Sequence, residues 1–296
     1  MRLVVTGTQG QVARALAETQ APGMEIVAIG RPAMDLLDPA SVTRAIRKAA
    51  PDVVVNAAAY TAVDDAEKER EAAFAINEAG ARAVAQAAAA LGAPVIQLST
   101  DYVFDGAKAG LYVESDPTGP VSVYGASKLA GEHATAGANA NHVILRCAWV
   151  YSPFGKNFVR TMLRLAETRE ELGVVADQRG GPTSAHDIAG ACVRIALNLL
   201  MRPDESELRG VFHLAPQGEA VWADFAEAIF AGAEARGAKG ARVKRISTAD
   251  YPTPAKRPAN SRLDASKLAG GHGVRLPDWR QSLDICLDRL IAPKQA

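Results

Sequence analysis

Tyr124 and Lys128 lie four residues apart in VYGASKLAGE, residues 123–132. On a helix that spacing puts the phenol and the ammonium on one face. A free tyrosine has a pKa of about 10, too high for ready proton exchange near neutrality. A cation close by favours the phenolate and lowers such a pKa by about 1–3 units. A helix start near Ser122 would add partial positive charge. The pair therefore suits a tuned proton donor. A tyrosine leaning on the stem of a surface lysine has the same spacing, so other features must decide.

Thr100 ends the apolar run APVIQLST and heads STDYVFDG. At the end of a parallel strand its hydroxyl is expected to face a ligand crevice and to hold a carbonyl. Strand alternation sends Ser99 to the opposite face. A capped loop after a buried strand is the alternative.

A third group suits an anion. VVTGTQGQVA carries Gly7 and Gly10, with Ala13 at the third position of the spacing. The turn follows a strand and opens a helix, where glycines let backbone amides approach a pyrophosphate. An ordinary tight strand–helix turn uses the same residues. About twenty residues on, where an NAD enzyme places an acid for the ribose hydroxyls, stand Gly30 and Arg31. A guanidinium pairs with a 2′-phosphate. Arg31 thus predicts NADPH over NADH, with NADH still usable; a solvated loop arginine is the alternative.

Strand and helix alternate through the first half. Strands are expected at 2–6, 25–29, 52–56, 93–99 and 142–148. Helices are expected from about Gln11 to Thr19, after the N-cap Asp38 with Pro39 in first position, as one long alanine-rich helix stopped by Gly92, and from Ser122. This pattern predicts an α/β fold: a Rossmann-type doubly wound parallel sheet with a smaller C-terminal α/β substrate-binding lobe. Residues 1–150 form the dinucleotide-binding domain and 151–296 mainly the substrate domain, with one late strand free to rejoin the first sheet. Later helices are expected at 157–168, 185–201, 222–235 and 278–291, with strand-like pieces at LGVVA and GVFHLA. Tyr251–Arg262, rich in proline and basic residues, reads as a loop.

The 33 basic residues balance the 33 acidic ones, so no general attraction to nucleic acid or membrane is expected. No apolar run is long enough to span a bilayer. Cys147, Cys192 and Cys286 are scattered and odd in number, which suits a reduced compartment and a cytoplasmic protein. His133, His142, His186, His213 and His272 show no ligand spacing.

TGTQGQVA, VNAAAYTAVDDAE, QLSTDYVFDG and YGASK together resemble the extended short-chain dehydrogenase/reductase family. NFVRTMLRLA, DQRGGPT and YPTPAKRPANSRLD extend the resemblance to one branch of it, over nearly the whole chain. The resemblance implies a catalytic triad of Thr100, Tyr124 and Lys128, with Lys128 also on the nicotinamide ribose. It implies a cofactor site of Gly7, Gly10, Gln11, Val12, Asp35, Leu36, Ala59, Tyr60 and Thr61. Family members often have histidine in place of Tyr60. Asp101 and Trp149 would contact the sugar of the substrate. Lys256, Arg257 or Arg262 in the basic loop could meet its diphosphate, and a solvated loop is the even alternative. The implied activity is NADPH-dependent reduction of the C4 ketone of dTDP-4-dehydro-L-rhamnose to dTDP-L-rhamnose. A reductase of another nucleotide-linked deoxysugar and a non-catalytic NADP-binding regulatory subunit are the alternatives. A dehydratase is disfavoured because Asp101 is followed by Tyr102 and not by a second acid. Some relatives hold a metal at a dimer contact with carboxylates where this chain has Ala15 and His186; no metal is expected, and a homodimer is left open.

Overall fold

The structure, a computed structural model, describes residues 1–19 and 22–291. Its centre is a six-stranded sheet. The early strands are β1 (Arg2–Thr6), β2 (Glu25–Ile29), β3 (Val53–Asn56), β4 (Val95–Thr100) and β5 (His142–Cys147). β1, β3 and β4 are buried on both faces, as their near-continuous apolar sequences require in a parallel sheet.

The connections run through α1 (Gln11–Glu18), α2 (Pro39–Ala49), α3 (Arg70–Phe74), α4 (Ala81–Ala89) and α5 (Val123–Ala138). The caps follow the sequence. The Asp38 carboxylate accepts from the Ala40 amide at 3.0 Å, and Ser122 Oγ accepts from the Gly125 amide at 3.1 Å.

The expected single alanine-rich helix is interrupted. Between α3 and α4, residues Ala75–Gly80 form a π-helical turn. Within it the Asn77 side chain clamps the backbone of Tyr60, in the loop after β3. Such widened turns occur mostly at functional sites. Two glycines allow the crowding around it. A Cβ on Gly80 would lie 2.9 Å from the Cβ of Leu36, and one on Gly131 of α5 would collide with the Asn77 carbonyl.

The later elements are β6 (Val150–Tyr151), α6 (Phe158–Ala166), β7 (Glu171–Val175), β8 (Arg179–Gly180), β9 (Thr183–Ser184), α7 (Ala185–Met201), β10 (Gly210–His213), β11 (Ala220–Val221), α8 (Trp222–Ala235), β12 (Arg242–Ile246), α9 (Ser266–His272) and α10 (Trp279–Leu290). β10 joins the first sheet beside β5, giving the order β10-β5-β4-β3-β1-β2 with every pairing parallel. α1 and α7 cover one face and α2, α4 and α5 the other. A second core gathers Tyr151, Val159, Phe225, Ile229, Trp279 and Leu283 from β6, α6, α8 and α10. Among the described residues no helix is long and apolar enough to cross a membrane. The three cysteines are free and buried.

Candidate active site

The strand order reverses between β1 and β3, and open parallel sheets bind ligands at the carboxyl ends flanking such a point. The glycine turn lies there. Gly7 has φ +86°, in the left-handed region, and its amide donates to Ile29 O at 2.7 Å. Gly10 is the N-cap of α1 and supplies no side-chain acceptor, so the amides of Gln11 and Val12 open the helix uncapped. That is the donor arrangement an anion needs. The Gln11 side chain turns the other way: its Oε1 accepts from Ser152 Oγ at 2.7 Å and Asn157 Nδ2 at 3.0 Å.

Around this turn stand the other expected cofactor residues. Gly30 packs against Thr8 and leaves Arg31 exposed beside it. Asp35 accepts from the Leu37 amide at 3.0 Å, and Leu36 backs onto Gly80. In the loop after β3, Tyr60 donates its amide to Asn77 Oδ1 at 2.8 Å and accepts from Asn77 Nδ2 at 3.0 Å; Ala59 and Thr61 flank it. Asn77 Nδ2 also donates to Ser127 Oγ at 2.9 Å, and Ser127 Oγ donates to Tyr124 O at 2.8 Å. One carboxamide thus ties the loop to the helix that carries Tyr124. Beneath them Thr6, Asn56 and Gln97 form a buried chain of 2.6 and 2.7 Å hydrogen bonds across three strand ends.

Thr100, Tyr124 and Lys128 converge at the end of β4. Thr100 is buried beside the Tyr124 phenol, while Ser99 points to the other face, where its Oγ donates to Glu132 at 2.5 Å. The Thr100 hydroxyl donates to Asp101 Oδ1 at 3.1 Å. The hydroxyl proton is therefore directed to Asp101, and the Thr100 oxygen is left to accept. Asp101 is 3% exposed, and burial pushes its carboxyl up to about 6, against hydrogen bonds from Ser261 and Thr100. Its Oδ2 has no partner among the described residues.

The expected electrostatic pairing is corrected here. Burial, not Lys128, dominates the Tyr124 phenol and raises its pKa. Lys128 Nζ donates to Leu98 O at 2.7 Å. Burial pulls the Lys128 ammonium down to about 8, opposed by the Glu132 carboxylate. Near neutrality the phenol is protonated and the lysine largely cationic.

The family model described as RmlD substrate binding domain matches residues 1–292. A dTDP-4-dehydrorhamnose reductase of Sinorhizobium fredii is 56% identical over 282 residues, 95% of both chains. The chain belongs to the dTDP-4-dehydrorhamnose reductase family. The family enzyme of Escherichia coli K12 is 41% identical over 299 residues, covering 98% of each chain. The solved structure of the family enzyme from Bacillus anthracis, in complex with NADP, has a TM-score of 0.89 at 34% identity and covers 96% of this chain and 98% of that one. A UDP-glucose 4-epimerase of Thermus thermophilus, 22% identical with a TM-score of 0.79, shares the fold.

The basic loop, residues 251–262, is held as a strap across the fold. Arg257 Nη2 donates to Asp64 at 2.8 Å, in the loop after β3, and its Nη1 is buried without a partner among the described residues. A Cβ on Gly106 would lie 2.6 Å from Pro258 Cβ, so the strap crosses the FDG turn in direct contact. Asn260 donates to Lys108 O and Gly110 O at 2.7 and 2.8 Å, and Arg262 pairs with Glu219 at 3.0 Å. Lys256 is exposed. Trp149 is half-buried and packs against the second core. His186 reaches Glu18 at 3.1 Å, Arg289 donates to both, and Ala15 is buried under α7.

Sequence reasoning missed Asn77, Asp64 and Ser261. An asparagine within an alanine-rich helix, where it is a poor helix former, was the one available signal for Asn77. Asp64 and Ser261 act through pairings with residues distant in sequence and carried none.

Proposed function

We propose that this protein catalyses the NADPH-dependent reduction of the C4 ketone of dTDP-4-dehydro-L-rhamnose to dTDP-L-rhamnose. The observation that carries the reading is the convergence of Thr100, Tyr124 and Lys128 beside an uncapped glycine turn, in a chain of this family. The turn suits the dinucleotide: Gly7 occupies a left-handed conformation and the α1 amides lack a side-chain cap. Gly10, Gln11 and Val12 are assigned to the pyrophosphate, and Arg31 to a 2′-phosphate. Asp35 and Leu36 line the adenine, and Ala59–Thr61 the middle of the cofactor.

When bound, NADPH supplies the hydride. Tyr124, kept protonated by burial, gives its proton to the ketone oxygen. Lys128, held by Leu98 O, places a positive charge where the phenolate develops. Thr100, buried beside the phenol, positions its oxygen and leaves the phenol proton available to the ketone. Asp101 Oδ2 is the free acceptor assigned to a sugar hydroxyl, and Arg257 Nη1 the free donor assigned to the diphosphate. Residues 1–150 hold the dinucleotide and 151–296 mainly the nucleotide sugar, with β10 lent back to the first sheet. Free thiols and a nucleotide-sugar substrate support a cytoplasmic setting for the reaction.

The test mixes purified protein, NADPH and dTDP-4-dehydro-L-rhamnose, follows loss of NADPH absorbance and identifies the sugar formed. Consumption with formation of dTDP-L-rhamnose is expected. Tight NADP binding without consumption would overturn the reading in favour of a regulatory binder.

A further inference from the structure

Tyr124, Lys128 and Glu132 follow one another at four-residue intervals and so share one face of α5. That face meets three consecutive residues of β4. The Tyr124 phenol lies beside Thr100, Lys128 Nζ donates to Leu98 O at 2.7 Å, and Glu132 Oε1 accepts from Ser99 Oγ at 2.5 Å. The reduction uses Tyr124 and Lys128 and leaves Glu132 without a task.

Glu132 is a buried charge with a buried partner. The side chains of Arg146 and Glu132 are 5% and 3% exposed. Arg146 stands opposite Ser99 on β5. It donates from Nε to Glu132 Oε1 at 2.9 Å and from Nη2 to Oε2 at 2.7 Å. Its guanidinium lies over the Phe104 ring, 5.0 Å from the centroid, and its Nη1 is sealed without a partner among the described residues. Taking two charges out of water is costly, and apolar residues of similar volume are often as stable or more so. Stability therefore does not account for a carboxylate here. Its place does: it stands one helical turn from the lysine, in an interior where charges act strongly on one another.

The groups that face Lys128 leave this carboxylate as its support. On α5, burial keeps Tyr124 protonated. On β5, burial pushes the Cys147 thiol up to about 12, so it is uncharged near neutrality, and Arg146 is committed to Glu132. Asp101, past the end of β4, accepts from Thr100. Burial works against the ammonium, and Glu132 works for it.

We propose that Glu132 is a positioning residue of the reduction: clamped by Ser99 and Arg146 one turn beyond Lys128, its carboxylate holds that lysine in the charged form that receives the developing phenolate. The proposal deepens the reductase reading and rests on it for the part Lys128 plays in the reaction.

The test follows Lys128 itself. Its ¹³Cε resonance, assigned by its absence from Lys128→Met, is titrated in the purified full-length protein without substrate. Glu132→Gln removes the negative charge and keeps the shape. Because it leaves Arg146 buried without a counter-charge, the pair is also removed together, as Glu132→Leu with Arg146→Met. The Lys128 midpoint should fall by about one pH unit in Glu132→Gln, the lower end of what a neighbouring opposite charge does, and should fall in the double variant too, which decides alone if Glu132→Gln does not fold. Ser99→Ala loses a bond to Glu132 and keeps the charge, so its midpoint should stay in place. A merely structural Glu132 would lower the unfolding midpoint in these variants and leave the Lys128 titration where it is, and that result would overturn the proposal. The alkaline limb of kcat/KM for dTDP-4-dehydro-L-rhamnose should move down with the Lys128 midpoint. A limb that stays while the midpoint moves would also overturn it. A wild type that shows the resonance shifts but never reduces the ketone overturns the reductase reading instead, which separates the two failures.

Discussion

Replacing Lys128 with methionine should change how stability depends on pH in a way that isolates one buried charge. Lys128 is 5% exposed, and burial lowers its ammonium from 10.5 to about 8. Between those values the unfolded chain binds a proton that the folded chain does not, so the stability of the wild type rises with pH across that window. Below about 8 both states are protonated and the cost of burial is fully present. A lysine moved from 10.5 to about 8 corresponds to about 3 kcal/mol. Lys128→Met removes this titration and leaves the other groups in place, so the difference between the two proteins reports Lys128 alone. Urea unfolding from about pH 7 to about pH 10.5 should show the wild type gaining about 3 kcal/mol on the variant. The variant should also lose most of its reductase activity. Parallel stability curves would refute the claim that the cation is buried at an energetic cost, and with it the account of why the site retains a lysine there.

Tyr124→Phe should retain cofactor binding and lose turnover by about 10²–10⁴-fold, and near-normal turnover would show another residue giving the proton. Arg31→Ala should reduce the ratio of catalytic efficiencies with NADPH and NADH by about 10–100-fold, the value of a charge-assisted pair, whereas an unchanged ratio would remove Arg31 from the 2′-phosphate. In Asp101→Asn the acid-side behaviour should change: wild-type stability falls as pH rises from 3.8 to about 6, because the folded state holds the extra proton, and the variant should lack this slope. Gly131→Ala should destabilise by about 1–3 kcal/mol in urea unfolding, because its Cβ would strike the Asn77 carbonyl.

The parallel sheet was legible because its signals are local. Unbroken runs such as VVVN read as doubly buried strands, Asp38 and Ser122 announce helix starts, and helices 185–201 and 222–235 fall where their apolar spacing puts them. The neighbourhood of Tyr124 and Lys128 on one helix was legible for the same reason, since one turn separates them. What the sequence concealed depends on packing. The π-turn at Ala75–Gly80 contains a clamp on Tyr60, which lies on another loop. The environment of Lys128 is set by burial against Leu98, which no spacing reveals. Arg257 finds Asp64 across 193 residues, so a stretch that reads as a free basic loop is held in place. The two-residue strands β8 and β11 are too short to leave a pattern.

Gln11 occupies the start of α1 with its backbone and the entry to the second half with its carboxamide, through Ser152 and Asn157. One residue therefore joins the glycine turn to the segment that opens the second half, and a shift of either would be felt by the other through two hydrogen bonds.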